Sequence, residues 1–365
     1  MASDGLSPLH AAALRLAVSE RAGATRQQRV LAALLEHGSA CTPTEVITGV
    51  RDSLGTAAHP APQDVRRAAT RLKTLDGRVI VVGDAGYPCP LQDAWPELGA
   101  PLWLFAAGGS VRLERTVPVA IVGTRRPSVD GLRTATALAA ELARAGAVVV
   151  SGLARGIDQA AHRGALAAGG RTIAVLGTGL GVGYPSGSAD LRRAITANGA
   201  LLTELAPGVA PRAWQFLARN RIISGLASAT VVVEGGDTSG ALQTARLASG
   251  QGRDVWAVPG SINAPTSRAP LALLRDGAIP LTSIDDFLEA LDLRQGRPAL
   301  NGAIAPPSTL SANARRLLGL LSAVPTTTDA LVAASRLPAY AVMAAIAELI
   351  ECGVGVATPR GVVRG

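Results

Sequence analysis

Between residue 117 and about residue 293, short apolar runs alternate with stretches whose apolar residues recur every three or four positions. Each run is short and almost wholly apolar, which is typical of strands buried on both faces, and each leads into a cluster of Gly, Ser, Thr or Glu. The intervening stretches are typical of amphipathic helices. The six runs read VPVAIVG, AVVVSG, RTIAVLG, ALLTEL, ATVVVEGG and DVWAVPG. This alternation predicts an α/β fold with a Rossmann-like, doubly wound, mostly parallel sheet over residues 86–293.

The regions on either side of the predicted sheet have helical spacing. Residues 1–85 contain three amphipathic stretches and predict a helical, SAM-like N-terminal domain. Residues 86–108 are rich in Pro and Gly and are interpreted as a bridging piece at the start of the Rossmann-like domain. Residues 294–310 have the composition of a linker. Residues 311–365 show three short helical patterns and then a hairpin pattern, the outline of a winged helix.

The overall composition points to a large core and an anionic partner. Of 365 residues, 48% are hydrophobic and 17% are charged, and the formal net charge is +8. A basic chain favours polyanions such as nucleic acid. Because Lys73 is the single lysine among 35 basic residues, base composition also contributes to the arginine excess.

Nothing in the chain predicts a disulfide framework or a membrane partner. Cys41, Cys89 and Cys352 are far apart and no C-x-x-C pair occurs, so a zinc ribbon is not expected. The first residues carry no basic segment followed by an apolar one, and no uncharged apolar run reaches 18 residues. We expect a cytoplasmic protein.

The residues that follow the apolar runs are the candidates for chemistry, because ligands bind at the carboxyl ends of parallel strands. These loops are rich in Gly and hydroxyl residues and lead into helices, whose N-terminal N–H groups attract anions. Five arginines are predicted at this edge of the sheet: Arg125, Arg126, Arg155, Arg219 and Arg221. Trp214 and Phe216 lie beside the last two in sequence, where they either stack unpaired bases or belong to the core.

Neither of the common nucleotide motifs is present. A Walker loop needs Gly-Lys-Ser/Thr, and Lys73 follows Leu72. The fingerprint G-x-G-x-x-G fails because its third glycine position is Val182 counted from Gly177 and Tyr184 counted from Gly179. We predict no nucleotide cofactor.

Catalytic and metal-binding interpretations stay open at this point. Asp158 and His162 share a helix face near Ser151, which suits either a base with its orienting group or a helix-packing pair. Strand-end carboxylates provide a possible Mg²⁺ set, although no matching carboxylate pair is visible: Glu204, Glu234 and Asp237. We predict neither a catalytic residue nor a metal ligand.

Six blocks of the sequence resemble the DNA-processing protein A (DprA/Smf) family in order and spacing. The resemblance covers about residues 86–292, and the blocks read VAIVGTRRPSVDG, SGLARGIDQAAHRGAL, TIAVLGTGLGVGYP, LLTELAPGVAPRAWQFLARNRIISGLA, SGALQTARLA and GRDVWAVPG. The terminal domains are also similar to those of that family. The chain departs from the family pattern after Tyr184-Pro185, where an Asn often follows but this chain reads SGS, and at Ala269 and Leu271, where Gly and Asn are usual. It also lacks lysines that assist the arginines.

The resemblance implies a non-enzymatic protein that binds single-stranded DNA in natural transformation. Such proteins shield the incoming strand, help to load a RecA-type recombinase and act as homodimers through the Rossmann-like domain. The DNA-binding residues carried over from the family are Gly123, Thr124, Arg125, Ser151, Gly152, Arg155, Phe216, Arg219, Asn220, Arg221, Ser239 and Gly240.

Two other hypotheses remain. The first is a nucleotide or phosphoribosyl hydrolase of the lysine-decarboxylase-like Rossmann group, although EGGDTSGA lacks the Pro and the Glu arrangement of that group's loop. The second is an interaction protein whose winged helix binds duplex DNA or a partner through a basic wing containing Arg360 and Arg364.

Overall fold

The computed structural model describes the chain in several segments, which divide between two compact units, residues 1–296 and 297–365. The described residues are 6–18, 48, 60–93, 101–293, 310–321, 326–351, 355–358 and 361–364. The predicted four-part domain division stays a prediction. Five features of the sequence analysis lie outside the described residues: the helical pattern at 25–38, Cys41, the predicted linker over 294–309, Cys352 and Arg360.

Among the described residues of the first unit, nine strands form one sheet. The strands are β1 (Gly77–Val81), β2 (Trp103–Gly108), β3 (Pro118–Val122), β4 (Val148–Ser151), β5 (Thr172–Val175), β6 (Ala200–Thr203), β7 (Ala229–Val232), β8 (Asp254–Ala257) and β9 (Ile279–Pro280). Their order across the sheet is β1-β2-β6-β5-β4-β3-β7-β8-β9. From β6 to β9 all neighbours are parallel, which confirms the mostly parallel α/β sheet.

The path of the chain places a crevice at the centre of the sheet. From β3 the chain runs outward through β4 and β5 to β6, and then returns to β7 on the other side of β3. The strand order therefore reverses between β3 and β7. Open α/β sheets bind ligands at such a reversal, at the carboxyl ends of the strands.

Helices cover both faces of the sheet. They are α1 (Pro8–Val18), α2 (Pro62–Thr74), α3 (Cys89–Asp93), α4 (Val129–Arg144), α5 (Ile157–Ala167), α6 (Ala189–Asn198), α7 (Ala213–Leu226), α8 (Gly240–Gly250), α9 (Arg268–Arg275) and α10 (Ile284–Ala290). Along β3, Ala120 and Val122 belong to one apolar cluster, and Val119 and Ile121 belong to the other. This strict alternation explains why the strand is apolar at every position.

The antiparallel edge of the sheet is a feature that the sequence analysis did not predict. The last residues of the Pro- and Gly-rich bridging piece form β2, which pairs antiparallel with both β1 and β6. Trp103 and Phe105 in β2 are almost fully buried. The apolar run WLFAA carries a strand signal, but the turn residues before it hide that signal.

The second unit contains three helices and a hairpin. The elements are α11 (Ala312–Leu318), α12 (Thr328–Ser335), α13 (Ala339–Glu351), β10 (Gly355–Thr358) and β11 (Gly361–Arg364). Leu317, Leu331 and Val342 form its core. The Ser311 backbone N–H and hydroxyl donate to the Glu348 carboxylate at 2.7 and 2.6 Å, which lowers the pKa of Glu348. This arrangement is the winged-helix outline that the sequence predicts.

In the described part of the chain, no single helix has the length and apolar character needed to cross a membrane. One pair, Thr328–Ser335 with Ala339–Ile350, reaches that length and composition only when joined, and it is bent by 111° at the break.

Candidate nucleic-acid interface

The loop after β3 presents two arginines to solvent. A methyl group at Gly123 would lie 2.6 Å from the Ile157 side chain, so a glycine is needed where this loop passes over α5. The Thr124 backbone N–H donates to the Glu234 carbonyl at 2.8 Å, which ties the loop to the end of β7. Arg125 and Arg126 are exposed, and neither has a carboxylate partner among the described residues.

The loop after β4 contributes a third exposed arginine. The Arg155 guanidinium donates to the hydroxyl of Ser186, in the loop after β5, at 2.7 Å. The buried Ser151 hydroxyl donates to the Ile121 carbonyl at 2.6 Å and so links β4 to β3. Gly152 has no room for a side chain, because an added methyl group would lie 2.0 Å from the Arg219 guanidinium.

Helix α7 places an aromatic ring beside these arginines. The helix begins at Ala213, where Gln215 Oε1 accepts the Arg212 backbone N–H at 2.7 Å. The Phe216 ring lies 5.0 Å from the Tyr184 ring, between centroids, and the Arg125 guanidinium carbon lies 5.6 Å from its centroid. This is within the range of a cation–π contact.

Arg219, on the same helix, is buried and bound to the protein itself. Its guanidinium donates to the Gly152 carbonyl at 2.7 Å and to the Val175 carbonyl, so it joins the carboxyl ends of β4 and β5. Burial lowers the pKa of Arg219 to about 10, although the charge of Asp158 acts to raise it. Burial raises the pKa of Asp158, an effect that the Arg219 charge opposes.

The next two residues of α7 also make internal contacts. The Asn220 amide donates to the Gly240 carbonyl at 3.3 Å, at the start of α8. Arg221 forms an ion pair with Glu204, with Nη2 and Oε1 separated by 2.8 Å. Their side chains are only 10% and 13% exposed, so this pair is a largely buried contact between α7 and the end of β6.

Two adjoining cavities form one groove at the strand-order reversal. The first has a volume of about 850 Å³ and is lined by nine of the predicted residues: Gly123, Thr124, Arg125, Arg126, Phe216, Arg219, Asn220, Ser239 and Gly240. The second, of about 550 Å³, adds two more, Gly152 and Arg155. Three predicted residues line neither cavity: Ser151, Trp214 and Arg221.

The groove also contains residues that the sequence analysis did not single out. Tyr184 and Ser186 line the second cavity, and Tyr184 lines the first as well. Both follow β5 in the Gly-rich loop at the predicted edge of the sheet, so their position in the loop was the available signal. Conversely, Ala269 and Leu271 line neither cavity, so these two departures from the family pattern lie outside the groove lining, whereas Ser186, just after Tyr184-Pro185, lies within it.

The possible catalytic set of Ser151, Asp158 and His162 does not assemble. The Ser151 hydroxyl is engaged with Ile121, and the Asp158 carboxylate accepts the Ala154 backbone N–H at 3.2 Å. His162 Nδ1 lies 2.7 Å from the Thr172 hydroxyl, and Nε2 has no partner among the described residues. Burial lowers the pKa of His162 to about 3. The histidine is therefore a neutral packing residue beneath the groove.

The three candidate metal-binding carboxylates have separate partners. Glu204 pairs with Arg221, and Asp237 pairs with Arg268 at 3.1 Å. Glu234 accepts the Ser128 backbone N–H at 2.9 Å and the Ser128 hydroxyl at 2.5 Å, at the start of α4. Across the described residues, no group of three or more His, Cys, Asp or Glu side chains is placed to hold a metal ion.

Comparison with known proteins matches both units to one family. The profile described as DNA recombination-mediator protein A matches residues 78–292, and that of the DprA winged helix domain matches residues 302–349. The chain is 42% identical over 242 residues to a putative DNA processing protein DprA of Mycobacterium tuberculosis, covering 63% of this chain and 62% of that protein's length. It is 41% identical over 215 residues to DNA processing protein DprA of Bacillus subtilis, covering 59% of this chain and 71% of that protein.

Two solved structures extend the similarity to the fold. The structure of DNA processing protein A from Streptococcus pneumoniae aligns with a TM-score of 0.60 and 32% identity, over 78% of this chain and 98% of that one. A structure of DNA processing protein A from Helicobacter pylori is described for its single-stranded DNA binding mode. It aligns with a TM-score of 0.54 and 29% identity, over 60% of this chain and 96% of that one. With a family profile that matches more than half of its residues, the chain belongs to the DNA-processing protein A (DprA/Smf) family.

Proposed function

We propose that this protein binds single-stranded DNA in the groove at the carboxyl edge of its sheet. The observation that carries the proposal is the set of exposed arginines beside an aromatic ring. Arg125, Arg126 and Arg155 have no carboxylate partner among the described residues, so each is available to a phosphate. Guanidinium groups bind phosphate oxygens strongly through paired N–H donors.

The aromatic side chains that line the groove favour a single strand over a duplex. Phe216 and Tyr184 both line the groove, and a base can stack on such a ring only when it is not paired. In our proposal the phosphates follow the arginines while bases enter between them and Phe216. The structure of the related Helicobacter pylori protein is described for its single-stranded DNA binding mode, which supports the proposal that this chain also binds a single strand.

Four further predicted residues, on α7 and at the start of α8, are proposed to act in different ways. Asn220, Ser239 and Gly240 line the groove near the start of α8, where backbone N–H groups favour an anion. Ser239 also caps α8, its hydroxyl accepting the Leu242 N–H at 3.2 Å. Trp214 is 54% exposed beyond the groove and offers a further stacking face to a longer strand.

The biological role follows from family membership and is equally a proposal. We infer a cytoplasmic, homodimeric protein that shields incoming single-stranded DNA and helps to load a RecA-type recombinase in transformation or recombination. The family description, DNA recombination-mediator protein A, supports this role. Because the aligned region spans only 62% of the length of the Mycobacterium tuberculosis relative, the role is not transferred from that protein as a whole.

No observation favours the hydrolase hypothesis. Its loop would have to present a free glutamate, but Glu234 already accepts both donors of Ser128. The basic-wing hypothesis stays a hypothesis, because Arg360 lies outside the described residues. Exposed side chains of α13 include Tyr340 and Met343, and the helix contains no arginine or lysine that could neutralise a phosphate.

The proposal is tested by titrating a fluorescent poly-dT oligonucleotide with the purified full chain at two salt concentrations, with duplex DNA as competitor. Three arginine contacts predict that the logarithm of the binding constant falls with the logarithm of salt at a slope of about −2. We expect the duplex to leave the bound single strand in place. Absence of binding at low salt, or equal displacement by duplex, would contradict the proposed function.

A further inference from the structure

Beyond the groove, a basic side chain of α2 lies against the loops after β5 and β6, outside the region that carries the predicted DNA-binding residues. Arg71 lies in the last turn of α2 and is exposed, and no ion pair to it is formed by the described residues. Its neighbours Ala68 and Leu72 are buried in the core of the first unit, so the helix is firmly packed. The Arg71 side chain therefore projects from a rigid base.

Two glycines make room for this arginine at the edge of the sheet. A methyl group at Gly208 would lie 1.6 Å from Arg71 Nη1, and one at Gly181 would lie 3.0 Å from Arg71 Cδ. Both glycines have left-handed backbones, with φ of 87° and 81°. Side chains other than glycine rarely adopt this conformation. The Arg71 side chain thus packs directly on the backbones of the loops after β5 and β6 and remains exposed on its other side.

The two loops form one surface that reaches from Arg155 to Arg71. Gly208 N–H donates to the Leu180 carbonyl at 2.9 Å, and Gly179 N–H donates to the Val209 carbonyl at 3.0 Å. The loop after β5 carries Ser186, the partner of Arg155, at its other end. Between residues 177 and 189 and between 205 and 213 the sequence contains no Asp or Glu. Within these two stretches a polyanion meets no like charge.

We propose that Arg71 is a further phosphate contact that extends the single-stranded DNA path from the groove, across the loops after β5 and β6, onto α2. This inference rests on the proposed function. A strand long enough to leave the groove gains one more phosphate neutralised by arginine, whereas a strand confined to the groove does not. The effect of Arg71 is therefore specific to strand length.

The test compares Arg71→Ala with Arg66→Ala, using the full chain and labelled poly-dT of about 6 and about 20 nucleotides. Arg66 is an exposed arginine on the same helix, about 140° around the axis from Arg71. We expect Arg71→Ala to bind the long strand about three- to fivefold more weakly at low salt, with a salt slope shallower by about 0.7. The short strand should bind Arg71→Ala as it binds the wild type, and Arg66→Ala should match the wild type with both strands.

A third variant, Arg71→Lys, distinguishes a role of Arg71 in binding phosphate from a role in supporting the loops. Lysine retains the charge and should keep most of the affinity for the long strand. Equal weakening of short and long strands by Arg71→Ala would mean that Arg71 only shapes the loops, and would overturn the inference. Long-strand binding equal to that of Arg66→Ala would also overturn it. If the wild type binds neither strand, the proposed function fails and the inference falls with it.

Discussion

The loop after β3 and helix α7 both bring arginines to the same edge of the sheet, with opposite results. In the loop, Arg125 and Arg126 are exposed and, among the described residues, have no carboxylate partner. In the helix, Arg219 and Arg221 are buried and are held by backbone carbonyls and by Glu204. A short loop leaves a guanidinium in water, whereas a helix packed against the sheet turns it inward. The comparison shows that one residue type serves two purposes within one groove.

The largest expected effect belongs to Arg219. Arg219→Ala should lower the free energy of unfolding by about 3 to 5 kcal/mol, because the Gly152 and Val175 carbonyls lose their donor and Asp158 loses its buried cation. Urea unfolding followed by circular dichroism measures this loss. Arg126→Ala, an exposed control from the loop, should change the free energy by less than about 0.5 kcal/mol. Equal stability losses in the two variants would remove the distinction between helix and loop.

A smaller effect concerns His162, whose contribution to the free energy of unfolding should depend on pH. His162 lies beneath the groove with its pKa lowered to about 3, whereas histidine in an unfolded chain titrates near 6.5. Between these values the unfolded state binds more protons, so stability is lost as the pH falls through this window. The loss attributable to His162 should approach about 1 kcal/mol per pH unit.

The measurement for this effect is urea unfolding of the wild type and His162→Gln at several pH values between about 4 and 7. The difference between the two proteins isolates His162 from the carboxylates that also titrate in this range. The wild type should lose more stability than the variant as the pH falls. A difference that stays constant with pH would show that His162 is not a buried neutral group.

Much of this fold was predictable because strands buried on both faces carry a strong sequence signal. All six apolar runs became strands β3 to β8, and the loops after them form the groove. Strand β2 was hidden by the Pro and Gly residues that precede it. Strand β1 was missed because the run GRVIV is short and follows a helical pattern.

The site was predictable in position but not in the role of each side chain. Sequence order places an arginine after a strand, and the topology then brings it to the binding edge. Whether the guanidinium meets solvent or a carbonyl depends on tertiary contacts such as that of Arg219 with Gly152, which join residues far apart in the chain. The same limitation applies to Trp214, which the structure leaves exposed beyond the groove.

The most direct test of the central claim compares Arg125→Ala with Arg221→Ala in two measurements, affinity for poly-dT and free energy of unfolding. We predict that Arg125→Ala weakens poly-dT binding about tenfold and leaves stability unchanged, because its guanidinium contacts solvent and Phe216 rather than the core. Arg221→Ala should lose about 2 to 3 kcal/mol of stability, since Glu204 loses its partner, while folded protein keeps wild-type affinity. The reverse pattern, with Arg221→Ala losing affinity and Arg125→Ala binding like the wild type, would contradict the assignment of the groove's exposed arginines to DNA.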